Sequence, residues 1–220
     1  MIDFLAARRL MVDGQVRTND VTDPRLLAAM LAVPRERFVD PAHAALAYVD
    51  IDLPVGNDRS ARRLLKPMVL AKLLQAAEIE PGHSVLDVGC ATGYSAAIIA
   101  RLAGLVTALE EDPALSGEAK QILAGLGVGN VTIVRNELGA GWPAAAPYDA
   151  IVLNGAAEVI PQPLFDQIKE GGCLVGVLGT GPGSVAMLYR RIQREVSGRP
   201  IFDAAAPPLP GFSKPAEFVF

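Results

Sequence analysis

The chain begins with a helical pattern of apolar and polar positions. Between Met1 and about Asp52, apolar residues recur at the spacing of helix faces, and Thr22-Asp23-Pro24 is a typical helix start. We therefore expect residues 1–55 to form a helical N-terminal cover. The polar stretch from Gly56 to Arg63 predicts an exposed loop, and a further helix is predicted from about Leu64 to Ala77.

The central part of the chain alternates short β-rich runs with helical patterns, which is typical of βαβ units around a mostly parallel sheet. The predicted strands are Ser84–Val88, Val106–Glu110, Val131–Arg135, Asp149–Leu153 and Cys173–Leu178. The predicted helices are Tyr94–Leu102, Pro113–Leu126 and Pro161–Glu170. Two later runs, Val185–Ile192 and Glu217–Phe220, predict an antiparallel final pair.

These patterns predict an α/β fold with a doubly wound, Rossmann-like sheet and an antiparallel C-terminal edge. We expect one domain over residues 1–220. Within it, residues 1–55 would be the helical cover, residues 56–66 a loop, and residues 67–220 the α/β core.

Composition and charge narrow the class of protein. Of 220 residues, 51% are hydrophobic and 20% are charged, which is typical of one well-filled domain. Lys and Arg number 20 against 24 Asp and Glu, so nucleic acid is not an expected partner. No apolar run approaches the length of a membrane span, so no membrane partner is expected. Cys90 and Cys173 lie in apolar runs, which favours reduced, buried thiols in a cytoplasmic protein and no metal site.

The strongest local signal is the run of residues 85–94, in which an apolar strand leads into Gly89 and Gly93 and then into a helix. At the carboxyl end of such a strand, residues without side chains let a ligand lie against backbone N–H groups. A dinucleotide fingerprint has three glycines, whereas Asp87 before a Gly-x-x-x-Gly spacing suits a ligand with an ammonium group, such as S-adenosylmethionine. Glu110 closes the next predicted strand, where a carboxylate can accept hydrogen bonds from both ribose hydroxyls.

A simpler explanation of the same residues stays open. Glycines also occur in strand-to-helix turns where packing alone requires them, and Asp87 and Glu110 could be solvated strand ends. The two explanations differ in one structural respect. A ligand site needs an open hollow beside residues 89–93, and it needs the Glu110 side chain to face that hollow.

Ordered segments on both sides of the glycine turn resemble the protein-L-isoaspartate O-methyltransferase family. The N-terminal segments that carry the resemblance are Met11–Arg17, Asp23–Met30, Val33–Val39, Ala47–Asp50 and Leu53–Gly56. Beyond the turn they are Leu109-Glu110, Leu126-Gly127, Asn130-Val131, Gly141–Pro143, Ala146–Asp149 and Lys169–Gly172. The matches follow the family's order across nearly the whole chain.

The resemblance implies an enzyme of protein repair with the class I methyltransferase fold. The family transfers a methyl group from S-adenosyl-L-methionine to the free α-carboxylate of an isoaspartyl residue. The implied partner is therefore a protein or peptide that carries a carboxylate. Of the cofactor's parts, the methionine end is assigned to Asp87, Gly89 and Gly93, the ribose to Glu110, and the adenine to Glu137. The full set of implied cofactor residues is Asp87, Gly89, Cys90, Ala91, Gly93, Glu110, Asn136 and Glu137.

The chain departs from the family in residues 56–66, the loop on the side where the acceptor should bind. A longer segment replaces the family's Gly-Gln-Thr-Ile-Ser-x-Pro, and alignment on Pro67 puts Leu65 in the place of the serine and Arg63 in the place of the threonine. Ser60 is the weak catalytic candidate in this segment, and no other catalytic residue is indicated. Leu138 fills a glycine position of the family, where it could crowd the adenine pocket.

These departures leave several functions to be distinguished. The basic residues of the new segment could bind a carboxylate or phosphate, although a solvated helix start is the simpler explanation; they are Arg59, Arg62, Arg63 and Lys66. The first hypothesis is isoaspartyl repair. The alternatives are methyl transfer to a different acceptor and a scaffold that keeps the fold without catalysis. An oxidoreductase is disfavoured because the third glycine is missing.

Overall fold

The structure is a computed structural model that describes residues 2–56 and 62–214. Arg59, Ser60 and the predicted strand Glu217–Phe220 lie outside the described residues. The described part consists of helices and a seven-stranded, mostly parallel sheet, which confirms the predicted α/β fold class. Within these ranges, no helix combines the length and apolar character that crossing a bilayer requires.

The N-terminal region is helical, as predicted. Helix α1 (Phe4–Met11) begins after Asp3, and helix α2 (Pro24–Ala32) begins after Asp23. Each aspartate accepts a backbone N–H of the first helical turn, at 3.0 Å for α1 and 2.8 Å for α2, which satisfies a donor that has no partner inside the helix. Shorter helical turns lie at Val12–Val16, Arg17–Asn19, Arg35–Phe38 and Pro41–Leu46.

The prediction for the segment after residue 56 was partly wrong. Strand β1 (Leu53–Pro54) pairs antiparallel with strand β2 (Arg63–Leu64), so Leu64 belongs to a strand and not to the next helix. Helix α3 (Pro67–Ala76) begins at its proline. A proline suits the first helical position because its φ is already helical and because the N–H that it lacks would have no partner there.

The central sheet contains both parallel and antiparallel strands. Its strands are β3 (Ser84–Val88), β4 (Leu105–Leu109), β5 (Val131–Val134), β6 (Tyr148–Ala157), β7 (Ile168–Leu178), β8 (Val185–Ile192) and β9 (Glu195–Asp203). The spatial order is β5-β4-β3-β6-β7-β8-β9, with the first five parallel to one another and the last two antiparallel. The connecting helices are α4 (Tyr94–Ile99), α5 (Pro113–Gly125) and α6 (Gln162–Asp166).

The antiparallel C-terminal edge is present, but its last strand differs from the predicted one. Strand β8 pairs with β9, from Ile192 opposite Glu195 to Val185 opposite Asp203. Both residues of the hairpin turn, Gln193 and Arg194, have positive φ. Asn-Gly is the usual sequence for this conformation, and because this turn has neither residue, the sequence gives no signal for it. Strand β9 also contains Pro200, which an edge strand tolerates because one side of its backbone has no partner strand.

The order of the strands locates the site. Strand β3 has β4 on one side and β6 on the other. From β3 the chain adds β4 and β5 on one side, and it then returns to add β6 and β7 on the other side, so the strand order reverses between β3 and β6. Ligands of open α/β sheets bind at the carboxyl ends of the strands at such a switch point. Strand β3 is also buried on both faces, with Val85 in one core cluster and Leu86 and Val88 in the other. The residues that follow β3 are therefore held rigidly at this edge.

Candidate cofactor site

The turn after β3 has the backbone that its glycines predict. Gly89, Ala91 and Gly93 have φ values of +72°, +51° and +94°, a region that side chains disfavour. The N–H groups of Gly89 and Cys90 donate to the carbonyl of Leu109 at 2.8 and 3.1 Å. The turn is therefore tied to the end of β4, and α4 begins directly after it.

Asp87 lies at the end of β3 and is completely buried. Ser95 Oγ donates to Asp87 Oδ2 at 2.7 Å, and Asn154 Nδ2 donates to Asp87 Oδ1 at 2.6 Å. Burial raises the pKa of Asp87 to about 6, although these two hydrogen bonds act in the opposite direction. A carboxylate held in this way gains from any cation that reaches it, such as an ammonium group.

Glu110 faces the turn, as a ribose-binding residue should, and is also completely buried. Its Oε2 accepts the N–H of Ala91 at 2.8 Å, and its Oε1 accepts the N–H groups of Glu111 and Asp112 at 3.1 and 3.2 Å. Arg62 Nη2 donates to Oε2 at 2.9 Å. Glu110 is therefore not a solvated strand end.

The hollow beside the turn is filled by protein side chains, so the expectation of an open hollow was wrong. Arg62 Nη2 lies 2.6 Å from the position that a Cβ on Gly89 would take, and a methyl carbon of Leu209 lies 2.9 Å from it. The space left beside Leu65, Cys90 and Ala91 is about 10 Å³, which is close to the size of one water. The physical reason is that a buried carboxylate without a partner is costly, and Arg62 supplies the counter-charge.

Arg62 also departs from the prediction of an exposed loop. Its side chain is 7% exposed, and its Nη2 donates to the carbonyl of Gly89 at 2.7 Å as well as to Glu110. Arg63, the next residue, is exposed and donates to the carbonyl of Asp52 at 3.2 Å. Among the described basic residues of this segment, Arg62 thus donates a hydrogen bond to the turn, and Arg63 lines the small cavity beside it.

The residues expected on the adenine side lie beyond β5. Asn136 is half-buried and donates to the carbonyl of Gly141 at 3.1 Å, whereas Glu137 is exposed. Leu138 is buried among core residues that include Leu109 and Val134. Its side chain therefore contributes to packing on one face of the sheet.

The acceptor side has an apolar residue where the resemblance put a serine. Leu65 is buried and lines the small cavity at the turn. Its carbonyl accepts a hydrogen bond from Arg35 at 2.8 Å. An open groove of about 640 Å³ lies next to it, lined by residues between positions 50 and 66 and between positions 181 and 208, among them Asp50, Arg63, Lys66 and Pro207. A peptide segment has room in this groove.

Sequence reasoning missed several residues that hold the site together. Ser95 and Asn154 hold the carboxylate of Asp87. Asn154 was detectable because it lies near the end of β6, whose Val152 pairs with Asp87, and the carboxyl ends of parallel strands meet at one edge. Arg35 is fully buried under the turn, with its guanidinium 4.5 Å from the ring centre of Tyr94. No local pattern marks a buried arginine of this kind.

A glycine turn at the switch point, one carboxylate at the end of β3 and another after β4 are the features of a class I S-adenosylmethionine-dependent methyltransferase. A family model described as protein-L-isoaspartate(D-aspartate) O-methyltransferase matches residues 8–203. The chain belongs to this family. The enzyme class and the S-adenosylmethionine cofactor expected from the sequence are thereby confirmed.

Individual relatives agree with the family model. The chain is 40% identical over 176 residues to protein-L-isoaspartate O-methyltransferase 1 of Rhodopseudomonas palustris strain HaA2, covering 80% of this chain and 71% of the relative. It is 43% identical over 168 residues to protein-L-isoaspartate O-methyltransferase 2 of Anaeromyxobacter sp. strain Fw109-5, covering 76% of this chain and 68% of the relative.

Solved structures show the same fold. A structure named protein-L-isoaspartate O-methyltransferase superposes with a TM-score of 0.82 at 25% identity, covering 93% of this chain and 66% of that one. A second, a putative protein-L-isoaspartate O-methyltransferase from Plasmodium falciparum in complex with S-adenosyl-L-homocysteine, has a TM-score of 0.74 at 17% identity, covering 90% of this chain and 96% of that one.

Proposed function

We propose that this chain repairs proteins by transferring a methyl group from S-adenosylmethionine to the α-carboxylate of an isoaspartyl residue. The observation that carries the proposal is the pair of buried carboxylates, Asp87 and Glu110, on either side of a glycine turn at the switch point of the sheet. Family membership supports the same reaction and argues against a scaffold without catalysis.

The residues present fit the cofactor's chemical groups, provided that the side chains of Arg62 and Leu209, which fill the hollow beside Gly89, move aside. Asp87 has the charge to accept the cofactor's ammonium group, and Gly89 has no side chain that would keep a ligand from the backbone of the turn. Glu110 faces the turn, where it would accept a hydrogen bond from a ribose hydroxyl in place of the one from Arg62. The backbone at Cys90 and Ala91 would lie between these two ends, and Asn136 and Glu137 would contact the adenine.

The proposed reaction needs alignment rather than proton transfer. When bound, S-adenosylmethionine supplies a methyl group on a positively charged sulfur. The acceptor carboxylate is ionised at neutral pH, so no general base is required, and the protein contributes by holding the two reactants in line and by excluding water. One carboxylate oxygen forms the new bond to the methyl carbon as the carbon–sulfur bond breaks. The backbone nitrogen of the following residue then attacks the ester carbonyl and loses its proton as methanol leaves, which gives a succinimide. Water can open this ring to normal aspartate.

The parts of the chain take different roles in this proposal. Residues 67–220 would form the cofactor-binding core, residues 1–55 its helical cover, and residues 56–66 the acceptor side. The partner would be a damaged protein whose chain lies in the groove beside Arg63 and Lys66. Both cysteines, Cys90 and Cys173, are buried and free, which supports the expected cytoplasmic location.

Methyl transfer to a matched pair of peptides tests the proposal. We expect labelled methyl from S-adenosylmethionine to enter an isoaspartyl peptide and not the same peptide with a normal aspartyl residue. The D87N variant serves as the control, because it keeps the side-chain volume and removes the charge for the ammonium group. Absence of label in both peptides, with the cofactor shown to bind, would exclude isoaspartyl repair.

Leu65 favours a second candidate, methyl transfer to another carboxylate. The residue at this position is buried and apolar, so it offers no hydroxyl to orient an isoaspartyl group. The L65S variant distinguishes the two candidates. If the parent chain does not methylate the isoaspartyl peptide and L65S does, the parent chain acts on a different carboxylate. If the parent chain itself methylates the isoaspartyl peptide, this second candidate is unnecessary.

A further inference from the structure

Glu110 has no acceptor position left for a ligand. An ionised carboxylate offers about four lone-pair positions, and four donors reach this one. Three of them are the backbone N–H groups of Ala91, Glu111 and Asp112, which are fixed by the turn and by the end of β4. The fourth is Nη2 of Arg62, at 2.9 Å, and it is the one of these four donors that belongs to a side chain.

The Arg62 guanidinium also covers the glycine that a ligand must approach. Its Nη2 donates to the carbonyl of Gly89 at 2.7 Å, and its central carbon lies 3.4 Å from the position of a Cβ on Gly89. A ribose hydroxyl that donates to Glu110 must come within about 2.7 Å of a carboxylate oxygen. It would therefore need the lone-pair position that Nη2 of Arg62 occupies. Cofactor and arginine exclude each other at this place.

We propose that Arg62 is an internal competitor for the ribose end of the cofactor site and thereby sets the chain's affinity for cofactor. The proposal rests on the proposed function, because it assigns the ribose to Glu110. The ion pair stabilises the ligand-free site, since Glu110 is completely buried and would otherwise lack a counter-charge. If a ligand binds only after Arg62 has left, its apparent affinity is its intrinsic affinity multiplied by the fraction of molecules in which Arg62 does not contact Glu110.

Calorimetric titration with S-adenosylhomocysteine tests the proposal on two arginine variants. We expect R62A to bind this ligand at least about tenfold more tightly than the parent chain, because the competing donor is gone. R9A is the control, since it removes the same charge at a residue that is exposed in helix α1. Its affinity should lie within about twofold of the parent value.

The outcomes separate this inference from the proposed function. If the parent chain binds S-adenosylhomocysteine and R62A binds it equally or more weakly, Arg62 does not compete and the inference is wrong, while the proposed function stands. If neither protein binds it, the proposed cofactor site is wrong and the inference fails with it.

A second measurement does not depend on the folding of R62A. We expect a structure of the parent chain with S-adenosylhomocysteine to show a ribose hydroxyl hydrogen-bonded to Glu110 and Nη2 of Arg62 beyond hydrogen-bond distance from that carboxylate. An Arg62 that remains bonded to Glu110 while the ligand is bound would overturn the inference.

Discussion

The two buried carboxylates of the site are stabilised in different ways. Asp87 accepts hydrogen bonds from two neutral side chains, Ser95 and Asn154, and burial still raises its pKa to about 6. Glu110 has three backbone N–H donors and a guanidinium. Asp87 is therefore the carboxylate that gains most when a cation arrives, whereas Glu110 already has one.

The raised pKa of Asp87 predicts that cofactor affinity depends on pH. A cationic ammonium group prefers the ionised carboxylate, so ligand binding must remove the proton that Asp87 carries below pH 6. We expect the affinity for S-adenosylhomocysteine to be constant between pH 6.5 and 7.5 and to fall about tenfold per unit well below pH 6. Calorimetry across this range measures the effect.

The D87N variant is the control for this pH dependence. Asparagine cannot ionise, so D87N should bind the ligand more weakly at pH 7 and with little change between pH 5 and pH 7. A pH profile in D87N that is parallel to that of the parent chain would show that another group is responsible.

At the scale of single residues, spacing predicted the acids but not their partners. Asp87 and Glu110 follow from their positions at the ends of two strands beside a glycine turn. Arg62 could not be predicted, because it lies 48 positions from Glu110 in a polar run that resembles a solvated loop. Its burial depends on the pairing of β1 with β2 and on a charge that only the folded structure brings near.

Helix α5 shows how one element depends on the backbone conformation of its glycines. The helix ends in a Schellman motif: Val128 N–H donates to the carbonyl of Leu123, and Gly127 N–H donates to that of Ala124, both at 3.0 Å. Gly127 has a φ of +69° and closes the helix, whereas Gly117 lies inside the helix. An added Cβ would meet nothing within 4 Å at either position.

Alanine substitutions at these two glycines should change stability in opposite directions. G117A should raise the free energy of unfolding by about 0.5–1 kcal/mol, because alanine loses less backbone entropy in a helix. G127A should lower it by about 1–2 kcal/mol, because alanine is strained in the left-handed region. Urea denaturation measures both. Since neither added methyl group has a contact, equal signs would contradict this explanation.

Elements with strong end signals were predicted well, and the others were not. Strand β3 was predicted with its correct bounds because it lies between a turn and a glycine. Helix α4 was predicted to reach Leu102 but ends at Ile99, since apolar residues continue past its last turn. Strand β9 was missed because Gly198 and Pro200 interrupt its β pattern.

At the scale of the whole molecule, the C-terminal segment completes the site from the far end of the chain. Ala156 N–H donates to the carbonyl of Pro207 at 2.7 Å, and Leu209 N–H donates to that of Ala156 at 2.8 Å. The side chain of Leu209 consequently packs against Gly155 and Gly89. Strands β3 and β6 are thus joined to a proline-rich segment that follows the whole sheet in the sequence.

Removal of the Leu209 side chain should therefore destabilise the whole domain. The residue is 2% exposed, so L209A should lower the free energy of unfolding by about 2–5 kcal/mol, as is usual for buried leucines. Leu105 is the control, because it is 65% exposed and its substitution by alanine should change stability by less than about 0.5 kcal/mol. Equal losses in the two variants by urea denaturation would show that Leu209 does not pack as described.

The spacing of the glycine turn predicts which ligand stabilises the whole molecule. The turn has the Gly-x-x-x-Gly spacing, without the third glycine that a dinucleotide's pyrophosphate needs, and Asp87 before it suits an ammonium group. A ligand that binds only the folded state at a hundred times its dissociation constant adds about 2.7 kcal/mol of stability, which for a chain of this length corresponds to about 5–11 °C in melting temperature. We expect S-adenosylhomocysteine to produce this shift and NAD at the same concentration to produce none. Both ligands contain an adenosine, so the difference depends on the parts of the turn that are proposed to hold the methionine end. An equal shift with NAD would contradict the assignment of Asp87 to an ammonium group and would favour a dinucleotide site instead.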